Sequence, residues 1–286
     1  MMSSMRDYFD LLDAIHRATL PRTYVEIGVA TGKSMSIALP GTVLVGVDPA
    51  ADVRHPISGD LHLFRMTSDE FFQTGSLQAS LAGLPVDVGF IDGLHYFDAV
   101  LRDFRGIEAA SAPESVVLVH DCVPVTTRSA ARQRETKIWT GDVWKAIVGL
   151  RRYRPDLKIT VVDIAPTGLA LVTGLQPESR VLFDRYEELC NSLSPLSLPE
   201  DPSDRNQMIG ARPLDWELLR ERLPVDPYRN VELAPLLAKR RRKRATWTHV
   251  EWSLRRGVRY SPLGRFLGRR EEVGLDDAGA STDLAG

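Results

Sequence analysis

The sequence predicts an α/β protein with a doubly wound, mostly parallel seven-stranded sheet that ends in an antiparallel hairpin, followed by a helical and irregular C-terminal extension. Three observations carry this. Short apolar runs alternate with amphipathic helical stretches from residue 23 to residue 119. Two of the runs, Val86 to Ile91 and Ser115 to Val119, are nearly continuous in apolar residues, which suits strands covered by helices on both faces. Finally, only Ala165-Pro166-Thr167-Gly168 separates the runs Leu157 to Ile164 and Leu169 to Thr173. That link is shorter than the dozen or so residues of a parallel crossover, so these two strands pair antiparallel.

Along the chain, residues 5 to 18 place Tyr8, Leu11, Leu12 and Ile15 on one helical face. Thr23 to Ile27 is the first strand. Gly32 to Leu39 has the pattern of opening helical turns halted by Pro40, and Val43 to Val47 is the second strand. A third strand is expected over Leu61 to Met66, a helix over Asp69 to Leu81, and a helix over Tyr96 to Ala110 after the fourth strand. Residues 122 to 138 are polar and irregular, longer than the roughly 2–6 residues of an ordinary βα loop, and suggest a substrate loop or lid. Thr140 or Asp142 is placed to cap the helix that carries Val143, Trp144, Ile147, Val148 and Leu150. Beyond residue 175, helices are expected over Glu178 to Leu193 and Leu214 to Leu223, and Glu271 to Gly286 has the composition of a disordered tail. The expected organisation is an N-terminal helix (1–20), a ligand-binding domain (21–175), a helical and basic extension (176–270) and a tail (271–286).

Composition narrows the class. A hydrophobic content of 43% supports a packed core, and two distant cysteines, Cys122 and Cys190, give neither a disulfide scaffold nor a zinc site. No apolar run reaches the roughly 20 residues of a membrane span and the N-terminus lacks a signal core, so a cytoplasmic protein is expected. The net charge of -2 conceals a segment, Lys239 to Arg270, of local charge +11.

Chemistry concentrates at two places. Glu26-x-Gly28-x-Ala30-x-Gly32 ends a strand and leads toward a helix, a placement that lets backbone approach a ligand closely. Asp48 ends the next strand, where an acid accepts hydrogen bonds from ribose hydroxyls in nucleotide-type sites. Farther on, Asp92 follows the fourth strand with His95 three residues later, and His120-Asp121 closes the fifth. Residues ending adjacent strands converge at the carboxyl edge of such a sheet, so Asp92 and Asp121 are expected to face each other. Two carboxylates so placed repel unless protonated or bridged, and a hard divalent cation, Mg²⁺ by preference, is a natural bridge. It would chelate acceptor hydroxyls, while His95 would serve as general base. His120 could bind metal or substrate, but a histidine ending a buried strand is more often a satisfied structural residue.

Together these residues resemble class I S-adenosylmethionine-dependent methyltransferases, and the closing hairpin fits that fold better than a nicotinamide-binding one. The resemblance covers residues 20 to 175. It implies that Glu26 lies near the methionine part of the donor, that Gly28, Ala30 and Gly32 cradle it, that Asp48 holds the ribose, and that Ser68 and Asp69 contact adenine. Thr67 to Glu70 also reads as a helix cap. The Asp-Gly-x-His pattern with a strand-end Asp resembles metal-assisted O-methyltransferases that modify sugars on natural products and glycolipids. The sequence departs from that branch at His120, where macrolide-sugar enzymes have a further acid, and at Cys122, where catechol-type enzymes have an amide; a lysine takes the position of His95 in the latter. A small-molecule hydroxyl acceptor is thereby implied.

Other readings stay open at this point: a nicotinamide-dependent oxidoreductase, and a non-catalytic binding protein of the same fold. The arginine-rich 239–270 segment, interleaved with Trp247, Trp252, Tyr260 and Phe266, suits an arm on an acidic partner or a peripheral contact with the inner membrane face better than nucleic acid. A homo-oligomer is compatible with all of this.

Overall fold

A computed structural model of the chain describes residues 5–224; the basic segment 239–270 and the tail 271–286 lie outside the described residues. The described sheet has the order β3-β2-β1-β4-β5-β7-β6-β8, with its strands at Thr23–Ile27 (β1), Val43–Val47 (β2), Asp60–Phe64 (β3), Val86–Ile91 (β4), Ser111–His120 (β5), Lys158–Val162 (β6), Leu169–Thr173 (β7) and Ala211–Arg212 (β8). The first five run parallel, and β7 is antiparallel to both β5 and β6. The α/β doubly wound sheet and its closing hairpin are those the sequence predicts. The two-residue β8, parallel to β6, adds an eighth strand to the seven expected.

Alternation along the strands divides the core between the two faces of the sheet. Val25, Ile27, Val45, Val47, Val117 and Val119 face a layer formed by α2 (Ser68–Gln73), α4 (Phe97–Glu108), α5 (Trp144–Tyr153) and α7 (Tyr186–Leu193), into which Phe71, Phe104, Trp144 and Leu189 are buried. Tyr24, Leu44, Val88, Phe90 and Leu118 face the other way, against Tyr8, Leu11, Leu12 and Ile15 of α1 (Tyr8–Thr19) and Leu219 of α9 (Trp216–Arg220). Asp7 caps α1, its carboxylate accepting from the amide of Asp10 at 3.0 Å. Residues 176–224 belong to the same packing: α7 lies on α5, and α8 (Pro202–Ile209) leads into β8.

Three helix expectations differ from the structure. The turns expected over Gly32 to Leu39 reduce to a short 3-10 turn, Met35–Ile37. There the amides of Ile37 and Ala38 donate three residues back, to the carbonyls of Ser34 and Met35, and the chain turns again at Pro40-Gly41. The helix expected over Asp69 to Leu81 is two, α2 and α3 (Ser76–Ser80), broken at Gly75, whose φ of +70 leaves the helical region. The stretch Glu178 to Leu193 is likewise divided, into α6 (Val181–Asp184) and α7. Asp142 does not cap α5. Its carboxylate reaches across the fold and accepts from the amide of Phe97 at 3.0 Å, serving the start of α4.

The register positions the site. Ile27 pairs with both Val47 and Ile91, and Ile91 pairs with Val119, so β1, β2, β4 and β5 finish almost level. Gly28, Asp48, Asp92 and His120 are therefore the residues that emerge first at the carboxyl edge. Phe104 of α4 is fully buried in the core cluster that covers this face of the sheet. Phe104→Ala should destabilise the protein by about 3–5 kcal/mol, as truncations of buried aromatics do, read as a lowered urea midpoint. A loss below about 1 kcal/mol would contradict this packing.

Candidate functional site

The glycine loop is a run of left-handed residues. Gly28, Ala30 and Gly32 have φ of +91, +46 and +74, so alternate peptides turn back and leave a concave backbone surface. At Ala30 the side chain makes this conformation costly, and it is held from outside: the Asp48 carboxylate accepts from the amide of Ala30 at 2.7 Å through Oδ2 and from the amide of Ala50 at 2.7 Å through Oδ1. The next residues continue the fastening, with the amides of Asp52 and Arg54 donating to the carbonyls of Ala30 and Thr31. A carboxylate offers about four lone-pair positions. Asp48 thus fixes the loop and retains acceptor capacity toward the cleft.

Glu26 is fully buried beneath the loop. Its carboxyl accepts from Tyr24 Oη at 2.7 Å and Ser34 Oγ at 2.5 Å. Burial pushes its pKa up to about 8, against the lowering effect of those two hydroxyls and with help from the charges of Asp92 and Asp48. It is protonated at neutral pH and supports the loop from below.

Ser68 and Asp69 begin α2, but the cap is Thr67, which forms a capping box with Glu70. Asp69 takes a bidentate bond from Arg102 of α4, at 2.7 and 3.0 Å. Behind them Asp103 is buried with its Oδ1 unpartnered in the described structure, and desolvation raises its pKa to about 7.

Asp92, His95 and Asp121 do converge. Their donor atoms all lie within 4.8 Å of one another. His95 Nε2 is 3.2 Å from Asp121 Oδ2 and 3.7 Å from Asp92 Oδ1. Its other nitrogen, Nδ1, lies 3.0 Å from the carbonyl oxygen of Trp139 and therefore carries a proton donated to it, while the indole stacks on the imidazole at 5.1 Å. Nε2 is left on the side of the carboxylates. The roles that the sequence assigns to His95 and to the carboxylate pair accordingly meet at a single point, and a cation held by the carboxylates would also touch His95 Nε2. The donor set of two carboxylate oxygens and one imidazole nitrogen fits a divalent cation.

Sequence reasoning left His120 undecided, and the structure puts it at the centre. Its Nδ1 is 3.1 Å from Asp92 Oδ1 and 3.5 Å from Asp121 Oδ2, its ring is buried, and Nε2 is enclosed without a partner among the described residues. Burial alone would lower its pKa. The two carboxylates outweigh that and push it up to about 10. Asp92 is in turn held well below the usual carboxylate range: burial raises it, and the two histidines lower it further. Tyr8, read from sequence only as a helix core position, packs its ring on His120 at 3.9 Å and joins α1 to the site. The signal for His120 was its position, one residue before the strand-end acid.

The loop after β5 is irregular, as expected, and Gly141 seals it against His95: a Cβ there would lie 1.8 Å from the His95 carbonyl oxygen. A separate cavity of about 770 Å³ lies on the far side of this loop, lined by Phe97, Arg132, Trp144, Lys145 and Tyr186 among others, and by none of the cluster residues. Leu94, next to His95 in the chain, and Val125, in the loop after β5, are 54% and 49% exposed.

Residues 25–122 match the family model of a methyltransferase domain. No curated protein matches the chain significantly. Among solved structures, cofactor-bound Rv0187 from MTB is 17% identical, with 61% of this chain and 81% of that chain covered and a TM-score of 0.43. The O-methyltransferase TomG from Streptomyces achromogenes, involved in tomaymycin synthesis and solved with SAM, is 18% identical over 59% of this chain and 80% of its own, with a TM-score of 0.42. An O-methyltransferase from Bacillus cereus in complex with SAH is 13% identical over 60% and 82%, with a TM-score of 0.43.

The protonated Glu26 makes a prediction independent of ligand. A carboxyl whose folded pKa lies above its unfolded value stabilises most below the unfolded value, near 4.5, and that contribution is lost as pH rises toward about 8. The loss approaches about 1.4 kcal/mol per pH unit. Glu26→Gln should remove it, so that urea denaturation at pH 5.5 and 8.5 shows a smaller fall in stability for the variant. Equal falls would mean that Glu26 is ionised throughout.

Proposed function

We propose that this chain, which carries a methyltransferase domain over residues 25–122, transfers the methyl group of S-adenosylmethionine to a hydroxyl oxygen of a small molecule. The observation that carries the reading is the level finish of β1, β2, β4 and β5, which sets a concave glycine loop beside a cluster of two carboxylates and an imidazole. The loop and the remaining lone pairs of Asp48 suit the ribose and methionine parts of the donor. Ser68 and Asp69, engaged with α4, form the edge of the adenine side.

A hydroxyl becomes a competent nucleophile only as it loses its proton, and the Asp92, His95 and Asp121 cluster answers that need. With Trp139 holding Nδ1, His95 presents Nε2 as the basic atom on the cleft side. A proton taken there becomes the donor to Asp121 Oδ2, 3.2 Å away, so the imidazolium is stabilised where it forms. A divalent cation such as Mg²⁺, held by Asp92 and Asp121, would supply a lowered pKa of a bound hydroxyl. The chain's own contribution is placement: alignment of oxygen with the sulfonium methyl removes much of the entropic barrier.

The exposed Leu94 and Val125, each within a few residues of the cluster in the chain, support an acceptor with an apolar body and a polar, hydroxyl-bearing end. A sugar on a natural product or glycolipid has that form. The oxidoreductase reading has no comparable support, because the cleft beside the loop ends in carboxylates and imidazoles rather than an apolar wall.

Two experiments test this. Labelled donor incubated with small-molecule extracts should transfer its methyl to a hydroxyl in the presence of the protein, and His95→Ala should slow transfer by roughly 100-fold or more. Transfer by the variant at the unaltered rate would remove His95 from the reaction. Gly28→Ala, whose Cβ would lie 2.1 Å from the Asp92 carbonyl oxygen, should weaken S-adenosylhomocysteine binding in calorimetry by roughly tenfold or more, which is about 1.4 kcal/mol. An unchanged affinity would separate the loop from the donor.

A further inference from the structure

We infer that the cavity of about 770 Å³ is a second ligand site, and that it takes a small monocarboxylate with a flat apolar body, the carboxylate on Lys145 and the body against Phe97, Trp144 and Tyr186. This goes beyond the methyl-transfer reading and does not rest on it. No residue of the glycine loop or of the Asp92, His95 and Asp121 cluster lines the cavity. Its volume falls within the roughly 300–1,000 Å³ of small-molecule pockets, and Leu196 and Leu198 add to the apolar surface of the three rings.

Lys145 sets the charge of the ligand. It is 9% exposed, and a lysine is rarely so buried unless it is paired. Its Nζ donates to the carbonyl of Ser194 at 2.7 Å, at the end of α7, which uses one of three N–H donors. The rings of Phe97 and Trp144 each lie 5.7 Å from Nζ, close enough for cation–π attraction, which softens the charge without neutralising it. Burial draws the pKa of Lys145 below the ordinary lysine value; the charge of Asp142 opposes this and that of Arg132 adds to it.

The three acids of the wall are engaged by other groups. Arg132 Nη1 lies 2.7 Å from Asp98 Oδ1 and 3.3 Å from Asp142 Oδ2, and Arg102 Nη1 lies 3.4 Å from Asp98 Oδ2. Asp142 also serves the Phe97 amide, and Glu200 Oε1, on the exposed side, accepts from Thr127 Oγ1 at 3.0 Å. Among the described residues the Lys145 ammonium has no such ion pair. A carboxylate brought to it completes one in a partly desolvated place, where a charge-assisted hydrogen bond is worth more than at the surface. One unpaired positive charge calls for one negative charge. A dianion such as a phosphate monoester would carry its second charge toward Asp98, Asp142 and Glu200, and an amine would meet Lys145 and Arg132 as like charges.

The experiment is calorimetry on the full chain with four probes that share a benzyl or phenyl body: phenylacetate, its neutral isostere phenylacetamide, phenyl phosphate and benzylamine. Phenylacetate should bind at one site per chain with a Kd below roughly 1 mM, at least roughly tenfold more tightly than each of the other three. This comparison needs no variant. Lys145→Met should remove the preference for phenylacetate over the amide, and Lys145→Arg, which keeps the charge, should restore most of it. Ser197→Trp, at an exposed position of the lining, fills the cavity and should abolish phenylacetate binding while leaving the urea midpoint unchanged. Equal affinity for the acid and the amide overturns the inference, as does tighter binding of phenyl phosphate or benzylamine. So does phenylacetate binding that survives Ser197→Trp, which would place the ligand elsewhere, or the absence of saturable binding below roughly 10 mM.

Discussion

The site depends on one close approach. Gly28, at the end of β1, lies so near the Asp92-Gly93 peptide after β4 that a Cβ would fall 2.1 Å from the Asp92 carbonyl oxygen. Only a residue without a side chain, at a φ of +91, can sit there. This contact joins the glycine loop to the first residue of the carboxylate and imidazole cluster, so loop and cluster share a wall one peptide thick. The parallel register makes the contact unavoidable, since Ile27 and Ile91 are partners and their successors emerge together.

Around that wall the protein gathers several ionisable groups, and each is compensated in its own way. Glu26 is kept neutral by desolvation, with two hydroxyls to satisfy it. Asp92 is kept charged by two histidines, and Asp48 spends its charge on loop amides. Helix α1 closes one side. Its Tyr8 ring covers His120, and the Tyr8 amide donates to the carbonyl of Ala165 in the β6–β7 link at 3.0 Å, so a segment preceding the matched domain becomes part of the site's frame. The low dielectric that results makes each pairing inside the cluster count for more than it would in water.

What the sequence made legible follows from the range of the interactions concerned. β1, β2, β4 and β7 have the predicted bounds because an apolar run between polar turns is a local signal. That Gly28, Asp48, Asp92 and Asp121 meet at one edge was legible because residues that follow adjacent parallel strands must emerge together. The stretch Gly32 to Leu39 misled because its composition is helical while its amides close only a 3-10 turn before Pro40. Tyr8, Trp139 and the capping of α4 by Asp142 were illegible for one reason: each acts on a residue far along the chain, and no local pattern announces the partner. The Trp139 carbonyl that sets the tautomer of His95 is 44 residues away, and as a backbone group it leaves no trace in residue type.

The central claim is that the donor lies over Glu26 to Gly32 with its reactive sulfur directed at Asp92, His95 and Asp121. A crystal structure of the complex with S-adenosylhomocysteine tests it most directly. The account predicts the ribose hydroxyls on Asp48 and the thioether sulfur beside the Asp92 peptide, facing His95 Nε2. A nucleoside bound with its adenine against the cluster, or seated in the separate cavity lined by Phe97 and Trp144, would contradict it.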